Sequence, residues 1–255
     1  MNSTKSVKHL AFIPAREGSK GIKDKNLKIV GRKSLVKKSW DSCIEAGFFS
    51  EILLSTDSRV IANDIDPEID FDSIKIDSIM FKSPNHAFHH RSSLDAQDFS
   101  SIKTVLIKIA KFNELEFDYL WLIQPTSPFR YQNEFLELKR LLEIQADFTS
   151  IVSVKDVTSS HPDRMFTLQD NYLKTYLPSK QDESTPRQLL EKVYLKDGGF
   201  YIIPRLQLEK GHFLGDRILP FIRQSDSNVN IDSNSDLMFA RFLVSEGILD
   251  GWMSL

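Results

Sequence analysis

Leu10-Ala11-Phe12-Ile13-Pro14 is a short apolar run, and it ends at a glycine-bearing loop: Ala15-Arg16-Glu17-Gly18-Ser19-Lys20-Gly21-Ile22-Lys23-Asp24-Lys25-Asn26. A continuous apolar run of this length, ending at turn residues, reads as a buried first strand. Downstream, residues 34–46 place Leu35, Val36, Trp40, Cys43 and Ile44 on one helix face, with Gly47 positioned to end the helix. Residues 52–54 read as the next buried strand, 59–65 as a helix and 77–81 as a short strand. The pattern repeats. Residues 98–112 have a helical period, 119–123 (Tyr-Leu-Trp-Leu-Ile) form an apolar strand, 133–145 an amphipathic helix and 148–154 a strand. Residues 200–203 return as a strand, and 235–246 form a last amphipathic helix.

Strands alternating with helices predict an α/β fold, a Rossmann-like, mostly parallel sheet in a single domain over 1–255. Such sheets bind ligands beyond the carboxyl ends of their strands. The loops after Pro14, Leu54 and Ile123 should therefore meet on one edge. Residues 159–192 differ: they are polar, contain Pro162, Pro178 and Pro186, and have no long periodic helix. They read as a hairpin-like excursion from the sheet.

Composition narrows the function. The chain has 255 residues, 41% hydrophobic and 27% charged, as in ordinary globular proteins. A formal net charge of −2 argues against a broad nucleic-acid-binding face. The single cysteine forms no internal disulfide, which fits a cytoplasmic setting. No apolar run approaches the ~20 residues that span a bilayer, and residues 1–8 are too polar for a secretory leader.

The loop after the first strand carries the chemistry. Gly18 and Gly21 let backbone amides approach a ligand, and Arg16, Lys20, Lys23 and Lys25 place four cations within ten residues. Glycines, amides and cations at a strand's carboxyl end make a triphosphate cradle. A solvated basic turn is the plain alternative; the position behind a buried strand favours the cradle. The loop lacks the Gly-Lys-Ser/Thr of a P-loop and the Gly-x-Gly-x-x-Gly of a dinucleotide site.

The stretch Ile13-Pro14-Ala15-Arg16-x-Gly18-Ser19-Lys20-Gly21-Ile22-x-x-Lys25-Asn26 resembles the signature of the acylneuraminate cytidylyltransferases, the CMP-sialic acid synthetases. Gln124-Pro125-Thr126-Ser127-Pro128-Phe129-Arg130 is similar to a second motif of that family, which usually has Leu at the position of Phe129. Arg187-Gln188 followed by Gly198-Gly199-Phe200-Tyr201-Ile202 resembles its Arg-Gln and Asn-Gly-Ala-Ile-Tyr-Ile segments, although Leu190-Glu191 stand where proline often follows. Asn230-Ile231-Asp232 with Asp236 is similar to its Asp-Ile-Asp-Thr-x-x-Asp.

The resemblance implies a nucleotidyltransferase-type fold that transfers CMP from CTP to a nine-carbon or eight-carbon 2-keto-3-deoxy sugar acid, with Mg²⁺ as cofactor. It implies a homodimer in which 159–192 is the dimerisation hairpin. By the same resemblance Arg16 and Lys25 are the catalytic phosphate clamps, and Ala15, Gly18, Ser19, Lys20, Asn26 and Arg91 contact the nucleotide. Gln124, Arg164, Arg187, Tyr201 and Phe213 receive the sugar, and Asp232 with Asn230 holds the metal.

Several of these residues have plainer readings. Gln124 can brace its turn, Tyr201 and Phe213 can be core packing, and Asp232 can be a helix cap. Asp236 reads as first-turn dipole support. His86, His89 and His90 suit a metal site by residue type, but no Asp, Glu or Cys joins them at a recognised spacing, so they read as a polar active-site loop. Two rival functions remain at this level: a transferase acting on a sugar 1-phosphate, and a catalytically weak nucleotide-binding relative.

Overall fold

The computed structural model describes residues 6–19, 21–82, 85–92, 95, 102–157, 160–177, 186–223 and 228–249, with the Arg187 side chain left out. Lys20, residues 98–101 of the expected third helix and residues 178–185 of the excursion thus lie outside the described residues.

In chain order the elements are β1 (His9–Pro14), β2 (Ile29–Val30), β3 (Lys33–Ser34), α1 (Leu35–Ala46), β4 (Glu51–Thr56), α2 (Arg59–Ile65), β5 (Ile79–Lys82), β6 (His86–His90) and α3 (Ile102–Ala110). There follow β7 (Tyr119–Leu122), α4 (Gln132–Ile144), β8 (Ser150–Asp156), β9 (Phe166–Gln169), β10 (Tyr172–Thr175), β11 (Tyr194–Pro204), α5 (Arg205–Glu209), β12 (Ile218–Ile222) and α6 (Asn234–Ser245). Eight strands form one sheet in the order β12-β8-β11-β7-β1-β4-β6-β5. The pairs β1–β4, β1–β7, β4–β6 and β12–β8 are parallel, while β11 runs antiparallel to both β7 and β8, and β5 antiparallel to β6.

β1 is the centre of the fold. Alternation along it sends Ala11 and Ile13 to one face, with Trp40, Leu54 and Phe135, and Leu10 and Phe12 to the other, with Leu53, Leu106 and Leu120. Helices cover both faces, so an uninterrupted apolar run is what this strand requires. A third cluster packs α6 against Ile22, Leu35 and Phe129, which brings the C-terminal segment over the loop after β1.

Local signals set the helix ends. The Ser34 side chain accepts from the Lys37 amide at the start of α1, and Gly47 closes it with φ 71°. Ser233 is the N-cap of α6 and forms a capping box with Asp236.

Two expectations are corrected. His86–His90 is a strand inside the sheet, paired with β4, and not a loop. Its polar rings are satisfied there: His89 Nδ1 lies 2.9 Å from Ser55 Oγ, and His90 Nδ1 lies 2.7 Å from the Ile74 carbonyl oxygen. Residues 218–222, with no expected element, form the edge strand β12. The excursion does contain a hairpin, β9 with β10, in a sheet of its own. No helix of the described residues is long and apolar enough to cross a membrane.

Candidate active site

From β1 the chain builds outward through β4 and β6, then returns with β7 on the other side of β1. The strand order reverses at β1, and a crevice opens there past the carboxyl ends. A cleft of about 410 Å³ occupies this place. Its walls come from the loop after β1 (Arg16, Ser19, Gly21, Lys25, Asn26), the end of β6 (Arg91, Asp95) and the turn after β7 (Gln124, Pro125, Thr126), with Asp232 from the segment before α6.

The loop is held in shape by its own polar groups. Asn26, buried, donates from Nδ2 to the Arg16 carbonyl oxygen at 2.8 Å. The Glu17 amide donates to Asp57 Oδ1 at 2.8 Å, which anchors the loop to the end of β4. A Cβ on Gly21 would stand 2.5 Å from the Asp232 carbonyl oxygen, so only glycine lets the loop pass this close to the C-terminal segment. That segment is in turn tied to the turn after β7, the Ile231 amide donating to the Thr126 carbonyl oxygen at 2.7 Å.

Lys25 and Asp232 meet inside the cleft. Lys25 Nζ donates to Asp232 Oδ1 and to the Ile231 carbonyl oxygen, both at 3.0 Å. Asn230 Nδ2 donates to Asp232 Oδ2 at 2.6 Å, so the two side chains lie on the same side of the segment. Asp232 is not the helix cap, a task that falls to Ser233; Asp236 accepts from the amides of Asp232 and Ser233 at 3.0 and 2.7 Å.

Arg91 is buried to 4% exposure, and its Nε has no hydrogen-bond partner among the described residues. Burial lowers its pKa, Asp57 opposes that and Arg16 adds to it. A buried guanidinium nitrogen left unpaired in a cleft wall costs free energy until an acceptor arrives. Asp95 stands beside it. Burial works against its carboxylate, yet its hydrogen bond and ion pair with Lys108 prevail and hold its pKa below the ordinary value.

The cleft brings together Arg16, Ser19, Lys25, Asn26, Arg91, Gln124 and Asp232 from the expected set. Others stand apart. Ala15 is fully buried, with its amide donating to the Ser55 carbonyl oxygen at 2.9 Å, so that amide is not offered to a ligand. Gly18, exposed, takes φ 66° and shapes the loop without lining the cleft. Tyr201 and Phe213 stack at 5.9 Å between ring centroids in the core of one face, and they do not line the cleft either. Arg164 lies exposed in the 3-10 turn at Pro162–Arg164, at the base of the β9–β10 hairpin. Asp57, Asp95 and Thr126 belong to the site without having been singled out by sequence. For Asp57 a signal existed, since it directly follows a buried strand on the functional edge.

Residues 10–109 match the family model described as Cytidylyltransferase. The match contains the loop after β1 and Arg91. An N-acylneuraminate cytidylyltransferase from Escherichia coli O18:K1:H7 is 25% identical over 236 residues, which cover 92% of this chain and 51% of that protein. The chain thus spans about half the length of that cytidylyltransferase. A CMP-N,N'-diacetyllegionaminic acid synthase from Legionella pneumophila is 29% identical, with 89% of this chain and 92% of that one covered. Among solved structures, a CMP:2-keto-3-deoxy-manno-octonic acid synthetase complexed with CTP superposes with a TM-score of 0.63 at 14% identity, over 94% of this chain and 99% of that one. At that identity it speaks for the fold alone, a mostly parallel α/β sheet.

Proposed function

We propose that the protein is an enzyme that transfers CMP from CTP to the anomeric hydroxyl of a 2-keto-3-deoxy sugar acid, releasing pyrophosphate. One observation carries the reading: a cleft at the sheet's switch point gathers Arg16, Lys25 and the unpaired Nε of Arg91 around one opening. The family match over 10–109 and the sugar acids named for the relatives support it.

In this reaction the anomeric oxygen bonds to the α-phosphorus as the bond to pyrophosphate breaks, and the hydroxyl proton is released. Catalysis is positioning plus neutralisation of charge on the triphosphate. Arg16 and Lys25 meet the phosphates, Arg91 supplies a donor from the end of β6, and the Gln124 amide faces the acceptor sugar. Lys25 leaves Asp232 when phosphate oxygens take its place.

The donor set fits Mg²⁺ of one kind. Asp232 Oδ1 and Oδ2 each hold one donor, the side chain is 67% exposed, and a carboxylate has lone pairs to spare. An ion held chiefly by the triphosphate and its own waters would be anchored by Asp232, with Asn230 offering only a neutral oxygen. It would neutralise charge on the transferring and leaving groups.

In this reading the protein works as a homodimer, and the second copy completes the site. The hairpin of β9 and β10 is exposed along both strands and shows Phe166, Leu168, Tyr172 and Leu173 to the outside, while Arg164 at its base lines no part of its own cleft. A hairpin crossing to the partner would cover this apolar surface and deliver a cation to the sugar carboxylate.

The reading is tested by nucleotide selectivity. Pyrophosphate should appear with CTP, Mg²⁺ and a keto sugar acid together, and not when ATP or GTP replaces CTP. Equal turnover with the purine nucleotides would remove the pyrimidine assignment.

A further inference from the structure

Behind the cleft lies a cluster of four charged side chains that the nucleotide reading does not use. Arg130, Arg223, Glu134 and Asp197 are all buried. Arg223 donates from Nε to Glu134 Oε1 at 2.7 Å, from Nη2 to Glu134 Oε2 at 3.0 Å and from Nη1 to Asp197 Oδ2 at 3.4 Å. Arg130 donates from Nε to the Gly199 carbonyl oxygen at 2.8 Å and from Nη2 to the Gln124 carbonyl oxygen at 2.7 Å. Burial and the neighbouring Arg223 pull the Arg130 pKa down to about 9, so it stays charged at neutral pH. Two cations and two carboxylates balance.

Such clusters are poor devices for stability, because apolar residues of similar volume often do as well. What this one touches gives it another use. Asp197 sits in β11 where the register with β8 shifts, between Lys196 and Tyr201. Its Oδ1 accepts from the Gly199 amide at 2.9 Å and from the Ser153 hydroxyl, whose oxygen accepts from the Phe200 amide at 2.7 Å. A Cβ on Gly199 would stand 2.4 Å from Arg223 Nη1, so the guanidinium fills the space any other residue would claim. The bulge is thereby locked against Arg223 and, through Arg130, against the turn that begins at Gln124.

From the bulge a chain of polar contacts runs to the cleft. The Ser127 hydroxyl donates to the Asp197 carbonyl oxygen at 3.0 Å and lies 3.3 Å from Asn230 Oδ1. Asn230 donates to Asp232, and Asp232 receives Lys25. We propose that Asp197 and Arg223 are positioning residues: the buried pair fixes the 197–199 bulge, the bulge fixes Gln124 and Ser127, and these set Asn230, Asp232 and Lys25 in the cleft.

The proposal rests on the nucleotide reading only for its kinetic consequences, and the decisive measurement needs no nucleotide. It is the side-chain amide resonance of Asn230 in a ¹H–¹⁵N spectrum, assigned by its loss in Asn230→Asp. Asp197→Asn keeps the shape and an acceptor for the Gly199 amide but removes the charge facing Arg223. Arg223→Met removes the guanidinium. In both, the Asn230 amide should move towards the position of a solvent-exposed carboxamide. In turnover with CTP, kcat should fall about 10- to 100-fold while KM for CTP changes little, as expected when reacting groups are displaced rather than removed. Asp197→Asn combined with Ser127→Ala should be no worse than either alone, since both cut one chain.

Arg223→Met risks misfolding, so the isosteric Asp197→Asn decides. An unmoved Asn230 amide in folded Asp197→Asn overturns the proposal whatever the activity. A moved amide in a protein that releases no pyrophosphate from CTP sinks the function and leaves the positioning chain standing.

Discussion

The loop after β1 and the hairpin of β9 and β10 both place cations at the surface, yet only the loop has a wall behind it. Arg16 and Lys25 line one cleft with Arg91, Gln124 and Asp232; Asn26 ties their loop to itself, and Asp57 anchors it to the end of β4. The hairpin is exposed along its length, and Arg164 at its base is outside the cleft. A sheet edge makes a site out of charge because it fixes where several side chains point. Among the described residues the hairpin has no such frame around it.

The sharpest break of this contrast is at Asp232. Asp232→Ala should nearly abolish turnover and leave CTP binding measurable, whereas Asn230→Asp should lower the Mg²⁺ concentration needed for half-maximal rate. A Mg²⁺ titration of the three proteins at saturating CTP checks both; an alanine variant that titrates like wild type removes the metal from this end of the cleft.

Next comes Arg16. Arg16→Ala should lower kcat/KM for CTP by about 10²–10³, which corresponds to about 3–4 kcal/mol of transition-state stabilisation. Arg16→Lys should recover only part, since an ammonium makes no bidentate contact. Unchanged steady-state kinetics would make the loop a solvated turn, no different in kind from the hairpin.

The hairpin side is tested by mixing. Arg16→Ala and Arg164→Ala proteins, each strongly impaired alone, should together recover up to about a quarter of wild-type activity, because one site in each mixed dimer draws both intact residues. Leu168→Glu with Leu173→Glu should convert dimer to monomer in sedimentation and lower the rate. A fully active wild-type monomer contradicts the shared site.

The smallest expected effect concerns the strand beside the cleft. Burial is the main cause that drops the His89 and His9 pKa values to about 4, against an ordinary 6.5. The unfolded chain then binds protons that the folded one refuses, so stability is full above pH 6.5 and declines as pH falls towards 4. Thermal unfolding of wild type and His89→Gln across that window checks this: the variant should decline less steeply. Equal slopes would mean that His89 titrates freely.

What could be read in the sequence followed from local cause. β1, α1, α2, β7 and α4 are apolar runs or clean helical periods, and they fall where expected. β6 escaped because His86, His89 and His90 look like surface, and a sequence does not show that Ser55 and Ile74 wait inside with partners for two of them. β12 escaped because Pro220 interrupts it, and proline is tolerated there because β12 is the sheet's edge. The cationic loop was legible from glycines and charge on a short stretch. The Arg223–Asp197–Glu134 cluster was not, since its members lie 26 and 89 positions apart and only the folded β11 bulge brings them together.

The proposed chemistry at this cleft is CMP transfer to a keto sugar acid. Its most direct measurement is mass-spectrometric product analysis after incubation with CTP, Mg²⁺ and a panel of acceptors: sialic, legionaminic, pseudaminic and eight-carbon keto acids, with a sugar 1-phosphate alongside. A CMP-sugar and one equivalent of pyrophosphate should form with at least one keto acid, and no product from the sugar 1-phosphate. CTP taken up without pyrophosphate release from any acceptor, or product formed only from the sugar 1-phosphate, would contradict it.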